Sequence, residues 1–249
     1  MFRHRLNTAT SWRTHFDWLL LSFIAGSVNT GGYLAAHRFV SHVTGFATLF
    51  GIDAAGGHWD KALGILSVPL FFLLGVMVSA YLVDRRAHLG QRPHYAVVMS
   101  LVCICLISAA LGGYFELFGV FGHEVRLKQD YFLLALLCAA SGLQNAAIST
   151  ASGATVRTTH LTGLTTDLGT GLVRAFSDKR LYSSEMKAIR FRLGTIVSFA
   201  LGSAVGAYAY FQFHYLGFLL PASLAAFSVF EARKPLRRLK RVQEFRNNC

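Results

Sequence analysis

The chain has 249 residues, 53% of them hydrophobic and only 14% charged, with a mean hydropathy of +0.44. A soluble domain carries about 25% charged residues, so this composition excludes an ordinary soluble domain and points to an integral membrane protein. The net charge of +12 does not make it a nucleic-acid binder: the basic residues lie in short loops and at the termini, where cytoplasmic bias and anionic headgroups account for them, and no nucleic-acid motif accompanies them.

In chain order, the basic start Met1 to Arg13 precedes an apolar run. A signal peptide would begin this way, but the run continues to about Ala36 without a small-residue cleavage site, so it reads as a first transmembrane helix. Six stretches read as spans, about 16–37, 62–83, 94–117, 131–151, 191–212 and 214–231, most near the roughly 20 residues that a crossing needs. The last is short and follows a tight turn near His214. Cys103, Cys105 and Cys138 lie in apolar stretches as small buried hydrophobes, and Cys249 is the last residue. No metal-type spacing is present, so neither cofactor nor metal is expected.

Two shorter apolar stretches, about 39–56 and 157–176, carry one phrase written twice. Ser41-His42-Val43-Thr44-Gly45 returns as Thr159-His160-Leu161-Thr162-Gly163, and the match extends through Thr48 and Gly51 to Thr166 and Gly169. Gly26-x-x-Asn29 is echoed by Gly142-x-x-Asn145. Leu74-Gly75-x-x-Val78-Ser79-Ala80-Tyr81 is echoed by Leu201-Gly202-x-x-Val205-Gly206-Ala207-Tyr208. The three matches keep their order, as a duplicated unit would, and Gly75, Ser79, Gly202 and Gly206 recur four apart as in closely packed membrane helices.

Loop charge decides the topology. Arg3, Arg5 and Arg13 precede the first span, Arg85, Arg86 and Arg92 follow the second, and Lys179, Arg180, Lys187, Arg190 and Arg192 precede the fifth. Seven basic residues between Arg233 and Arg246 follow the sixth, whereas 118–130 is balanced. If both motif segments crossed the membrane, basic loops would fall outside, against the positive-inside rule. If neither crosses, every basic loop falls in the cytoplasm. The expected fold is therefore all-α and polytopic, with six transmembrane helices plus two re-entrant or broken segments in a single membrane domain, 1–249. Three spans per half make the repeats, 16–117 and 131–231, inverted. Both termini are cytoplasmic, and 232–249 is a basic tail.

The phrases Phe39-Val40-Ser41-His42-Val43-Thr44-Gly45 and Thr158-Thr159-His160-Leu161-Thr162-Gly163-Leu164-Thr165-Thr166-Asp167-Leu168-Gly169 resemble the YoaK family of bacterial membrane proteins, catalogued as a domain of unknown function. The resemblance covers about Leu19 to Phe230. It implies a six-span protein of the bacterial inner membrane and assigns no substrate or residue roles.

Non-helical backbone at membrane depth is tolerated where protein or water satisfies it. Gly45 and Gly163 permit unusual dihedrals or close approach, and Thr44 and Thr162 can cap helix starts. Half-helices from about Gly45 to Gly51 and from Gly163 to Gly171 would point amino ends at the membrane middle, which favours an anion or polar oxygen. Thr48 and Thr166 share a face with their partners. The solute-pathway candidates are thus His42, Thr44, Gly45, Thr48, His160, Thr162, Gly163 and Thr166, with the mid-span amides Asn29, Gln144 and Asn145, which either contact solute or clamp the broken segments. Asp53 and Asp167 are relay candidates, or simply partners for Arg38, Arg157 or Arg174. The leading expectation is a transporter or channel for a small polar or anionic solute with its site between the two segments, not an enzyme. Its partners are the lipid bilayer and that solute, and a homo-oligomer is left open. The alternatives are a membrane-embedded enzyme or metal-binding protein using His42 and His160, and a non-transporting scaffold.

Overall fold

The computed structural model describes residues 12–122, 128–152, 158–178 and 181–231, and among them every regular element is helical. The helices are α1 (Trp12–Ala36), α2 (Val43–Ala55), α3 (Trp59–Ser79), α4 (Tyr95–Tyr114), α5 (Lys128–Ser152), α6 (Leu161–Ser177) and α7 (Tyr182–Phe213), followed by α8 over 219–231. A π turn, Ala80–Asp84, and a final turn, Arg85–His88, prolong α3.

Five helical runs are long and apolar enough to cross a membrane: His15–Ala36, Trp59–His88, Tyr95–Tyr114, Tyr131–Ser152 and Tyr182–Glu231. The last holds 50 residues, about 75 Å if straight, against a hydrocarbon core of about 30 Å. It is not straight. His214 takes a positive φ of 48°, and a 3-10 turn, His214–Phe218, separates α7 from α8. The chain therefore offers five to six candidate spans. The stretch 182–190, expected as loop, is the start of α7. Its Glu185 bonds back to Arg174 on α6, which holds a basic stretch in helical register.

Two helix pairs build the centre. α1 packs along α7, and α3 along α5. Both contacts are glycine crossings. A Cβ on Gly26 would overlap the Phe199 carbonyl, and one on Gly202 the Phe23 carbonyl. Likewise, a Cβ on Gly142 would overlap the Phe72 carbonyl, and one on Gly75 the Ala139 carbonyl. Phe23 precedes Gly26 by the interval at which Ala139 precedes Gly142, and Phe72 stands to Gly75 as Phe199 stands to Gly202. The echoed sequence phrases thus make echoed contacts. In lipid, close backbone approach of this kind is what holds helices together, since no hydrophobic drive separates them from the tails.

The contacts also give direction. Ser198 Oγ donates to the Leu19 carbonyl at 2.7 Å and Ser203 Oγ to that of Gly26 at 3.3 Å, so α1 and α7 run the same way. Gly64 abuts Tyr131 and Gly75 abuts Leu143, so α3 and α5 do too. Between α1 and α5 the order reverses. Gln144 Nε2 donates to the Leu21 carbonyl at 2.6 Å, and Cys138 Sγ to the Val40 carbonyl at 3.1 Å.

One end of the bundle therefore gathers the start of α1 and α7 with the ends of α3 and α5. Thr150 Oγ1 donates to Asp84 Oδ1 there at 3.3 Å, and the His94 N–H to the Leu82 carbonyl at 3.1 Å. Arg85, Arg86, Arg92, Lys187 and Arg190 all belong to this end. At the other end Gly122 N–H reaches the Ala35 carbonyl at 3.2 Å. α2 and α6 are not core helices. Each folds back in a hairpin on the helix that follows it, α3 and α7, and the two share no packed face.

Candidate functional site

α1 is stopped by His37, whose φ of 51° is the left-handed turn that ends a helix. The His37 N–H closes on the Tyr33 carbonyl at 2.8 Å, and its Nε2 meets the Gly122 carbonyl at 2.9 Å. The chain then turns back into the bundle. Val40 is 1% exposed, and Asn29 Oδ1 accepts from Ser41 Oγ at 3.0 Å and from the Ser41 N–H at 3.4 Å. Asn29 is therefore a clamp on this elbow. α2 starts from here at Val43. Its 13 residues cover about 20 Å in antiparallel contact with α3, which puts His42 near the level of the Phe72–Gly142 crossing, halfway through the bundle.

His42 occupies the N-cap with φ −102° and ψ 73°, and makes no side-chain cap. The expected threonine caps are not formed. Thr44 lies inside the first turn, and Thr48 Oγ1 donates to the Thr44 carbonyl at 3.1 Å. A hydroxyl already on the helix has no reason to reach its end. The half-helix expected from Gly45 begins two residues earlier, and Gly45 has a different reason. A Cβ there would lie 3.0 Å from His42 Nδ1, so the glycine lets the imidazole fold over the first turn. A crevice of about 210 Å³ opens beside it. Its polar lining is His37, Arg38 and His42, and its walls are Tyr33, Phe39, Phe46 and Leu49. No acidic side chain lines it. Arg38 Nη1 donates to the His37 carbonyl at 3.0 Å.

The second elbow repeats the backbone. His160 is the N-cap of α6 with φ −96° and ψ 59°, again without a side-chain cap. His58 and His94 precede α3 and α4 in similar conformation, so the cap geometry alone does not mark the motif. The 17 residues of α6 cover about 25 Å beside α7, which brings His160 near the Phe199–Gly26 crossing. The amino ends of α2 and α6 thus reach mid-bundle from opposite ends.

Side-chain bonding differs at the second elbow. Among the described residues, Asn145 Oδ1, Thr158 Oγ1 and Thr159 Oγ1 are buried without a hydrogen-bond partner, and the clamp made by Asn29 and Ser41 has no counterpart. A cavity of about 10 Å³, room for about one water, lies against Thr159 and Ser141. Gln144 also lines it while tying α5 to α1. Gly163 has open space around it, so no imidazole folds over it. Thr166 and Thr170 donate to the carbonyls of Thr162 and Thr166 at 3.0 and 3.1 Å.

The expected carboxylate–arginine pairs are absent among the described residues, and Arg157 lies outside them. Arg174 Nε bonds Glu185 Oε1 at 2.9 Å, because the α6–α7 hairpin places Glu185, not Asp167, opposite it. Arg192 Nη1 lies 3.8 Å from Glu185 Oε2 and donates to the Asp167 backbone carbonyl at 3.0 Å. The Asp53 and Asp167 carboxylates form no ion pair among the described residues. Sequence reasoning missed Ser41, His37, Tyr33, Glu185 and Arg192 as participants. Only Ser41 carried a signal, as the first residue of the doubled phrase. The crevice is lined by the end of α1, its turn and the first segment, and the small cavity touches the second. Among the described residues no group of three His, Cys, Asp or Glu side chains is placed to hold a metal.

A family model described as "Protein of unknown function (DUF1275)" matches residues 18–230. No curated protein and no solved structure matches the chain. The chain belongs to that family, in agreement with the resemblance of its doubled phrase to the YoaK proteins.

Proposed function

We propose that this member of the DUF1275 family carries a small anionic or polar solute across the bacterial inner membrane, as a transporter or channel rather than an enzyme. In this reading six spans form two inverted triplets, and α2 and α6 enter from opposite faces without crossing. The helix directions support it. α1 and α5 occupy the same place in the two echoed halves and run in opposite senses, which is what an inverted repeat requires. The grouping of the basic loops at one bundle end supports cytoplasmic termini.

The observation that carries the proposal is the crevice at the first elbow. It runs from Arg38 and His37 at the bundle end to His42 at the amino end of α2, where free N–H groups and the helix dipole favour negative charge. A packing-only elbow has no use for an arginine without a carboxylate beside such an opening.

The test is flux. The purified chain, reconstituted into liposomes, is assayed with small inorganic anions and organic acids, alongside Arg38→Gln. The expected result is uptake of at least one anion, with the variant about tenfold slower. Folded protein that passes none of them overturns the proposal.

A further inference from the structure

We propose that the crevice at the first elbow takes a carboxylate carried on a ring-sized apolar body, in preference to an inorganic anion. This rests on the solute reading above and names its substrate class.

Three observations lead to it. The first is charge. Arg38 presents a planar guanidinium with one donor bonded to the neighbouring His37 carbonyl and no carboxylate partner among the described residues. The remaining donors form the fork that a carboxylate accepts in pairs. The second is the wall. Tyr33 and Phe39 stack with ring centroids 4.6 Å apart and planes at 15°. Phe39 meets His42 edge-on at 6.2 Å and 71°, while Phe46 and Leu49 close the side facing the bundle. Such a surface adds binding for a flat or compact apolar group, by offset or edge contact, and offers nothing to phosphate or chloride. The third is volume. The crevice of about 210 Å³ exceeds an apolar cavity of about 150 Å³ that accommodates benzene. One ring with its carboxylate has room there, whereas an inorganic anion leaves the aromatic wall wet.

The parts are also ordered along the path. Arg38 and His37 lie toward the end of α1, and His42 lies deeper, fixed over Gly45. A carboxylate held by Arg38 at the mouth would bring its ring against Tyr33 and Phe39, with His42 and the first turn of α2 below. The same carboxylate chemistry could arrive on a free small acid or on a fatty acid whose chain leaves through the open side, and the test separates these.

The experiment is equilibrium binding of radiolabelled benzoate to the full chain in detergent, with unlabelled cyclohexanecarboxylate, acetate, phosphate and laurate as competitors. Cyclohexanecarboxylate should displace benzoate at similar concentration, and acetate and phosphate should need at least about tenfold more. Arg38→Gln should weaken binding about tenfold without rescue by Arg38→Lys, and Phe39→Ala should weaken it several-fold. Phe39 is exposed and Arg38 half-buried, and elution as a single species checks the folding of both variants. Equal competition by phosphate or acetate, or unchanged binding by Arg38→Gln, overturns the inference. So does laurate displacing benzoate a hundredfold better, which would make the crevice a lipid site. Benzoate binding as described without any liposome flux would sink the transport reading alone. Flux of inorganic anions without benzoate binding would sink this inference alone.

Discussion

The two elbows are near-copies in backbone and differ in how several of the side chains around it are held. His42 and His160 share their dihedral region and their place ahead of a helix. At the first elbow the side chains are engaged: Asn29 holds Ser41, and His42 folds over Gly45 beside an arginine-lined crevice. At the second, Asn145, Thr158 and Thr159 have buried oxygens without partners among the described residues, and Gly163 faces open space. The outer faces are alike: Thr44 and Thr48 on α2 and Thr162 and Thr166 on α6 are all exposed, among exposed apolar residues such as Ile52 and Val173. A repeated phrase therefore fixes how the chain bends, because bending depends on backbone and glycine crossings. It does not fix what the bend binds, which depends on neighbours outside the phrase.

The sharpest way to break this comparison is topological and all-or-none. In a chain without other cysteines, single cysteines at His88 and Tyr182 should react with an impermeant reagent from one face of the membrane, and one at Tyr114 from the other. Residues 88 and 182 on different faces would end the inverted arrangement.

The next effect concerns what the halves share. Gly26→Leu and Gly142→Leu each drive a side chain into a facing carbonyl. Overpacking costs about 1–3 kcal/mol or more, so both variants should unfold at clearly lower temperature or fail to elute as one species. A tolerant Gly142→Leu beside a damaged Gly26→Leu would mean that the two crossings are not equivalent.

A smaller contrast separates the glycines of the phrase. Gly45→Ala crowds His42 and should lower anion binding several-fold. Gly163→Ala has room and gains helix propensity of up to about 1 kcal/mol, so thermal unfolding should rise slightly with binding unchanged.

The smallest contrast is between the amides. Asn29→Ala removes a bonded acceptor and should cost about 0.6 kcal/mol, at most about 1.7, the range for interhelical hydrogen bonds in membranes. Asn145→Ala removes an oxygen that has no partner and should be neutral or mildly stabilising, as read by denaturant unfolding in micelles. Equal losses would show that Asn145 is satisfied in the membrane by something outside the chain.

Much of the fold was legible from the order of residues. The apolar runs and the doubled phrase located the long helices, and Gly75 and Gly202 were legible as packing positions, because a membrane permits few backbone solutions and each leaves a mark in composition; Gly26 and Gly142 carried only an echo, and their crossings came from the contacts. The helix starts at Val43 and Leu161 were misplaced. The threonines that resemble caps bond back along their own helix, and that choice depends on local geometry rather than residue type. Pairing of Asp53 or Asp167 with Arg38 or Arg174 did not form among the described residues for a related reason: the register of the α6–α7 hairpin brought Glu185 to Arg174 instead.

What the sequence determined by itself was a helical membrane protein made of two echoed halves, since apolar length, loop charge and repetition act along the chain and need no partner to be read. Only the tertiary structure decided which elbow is clamped, which histidine lies over its glycine, and where an arginine without a carboxylate meets an aromatic wall. Those depend on residues as distant as Asn29 and Ser41, or Arg174 and Glu185, meeting in space, and contacts of that kind leave no periodicity in the sequence.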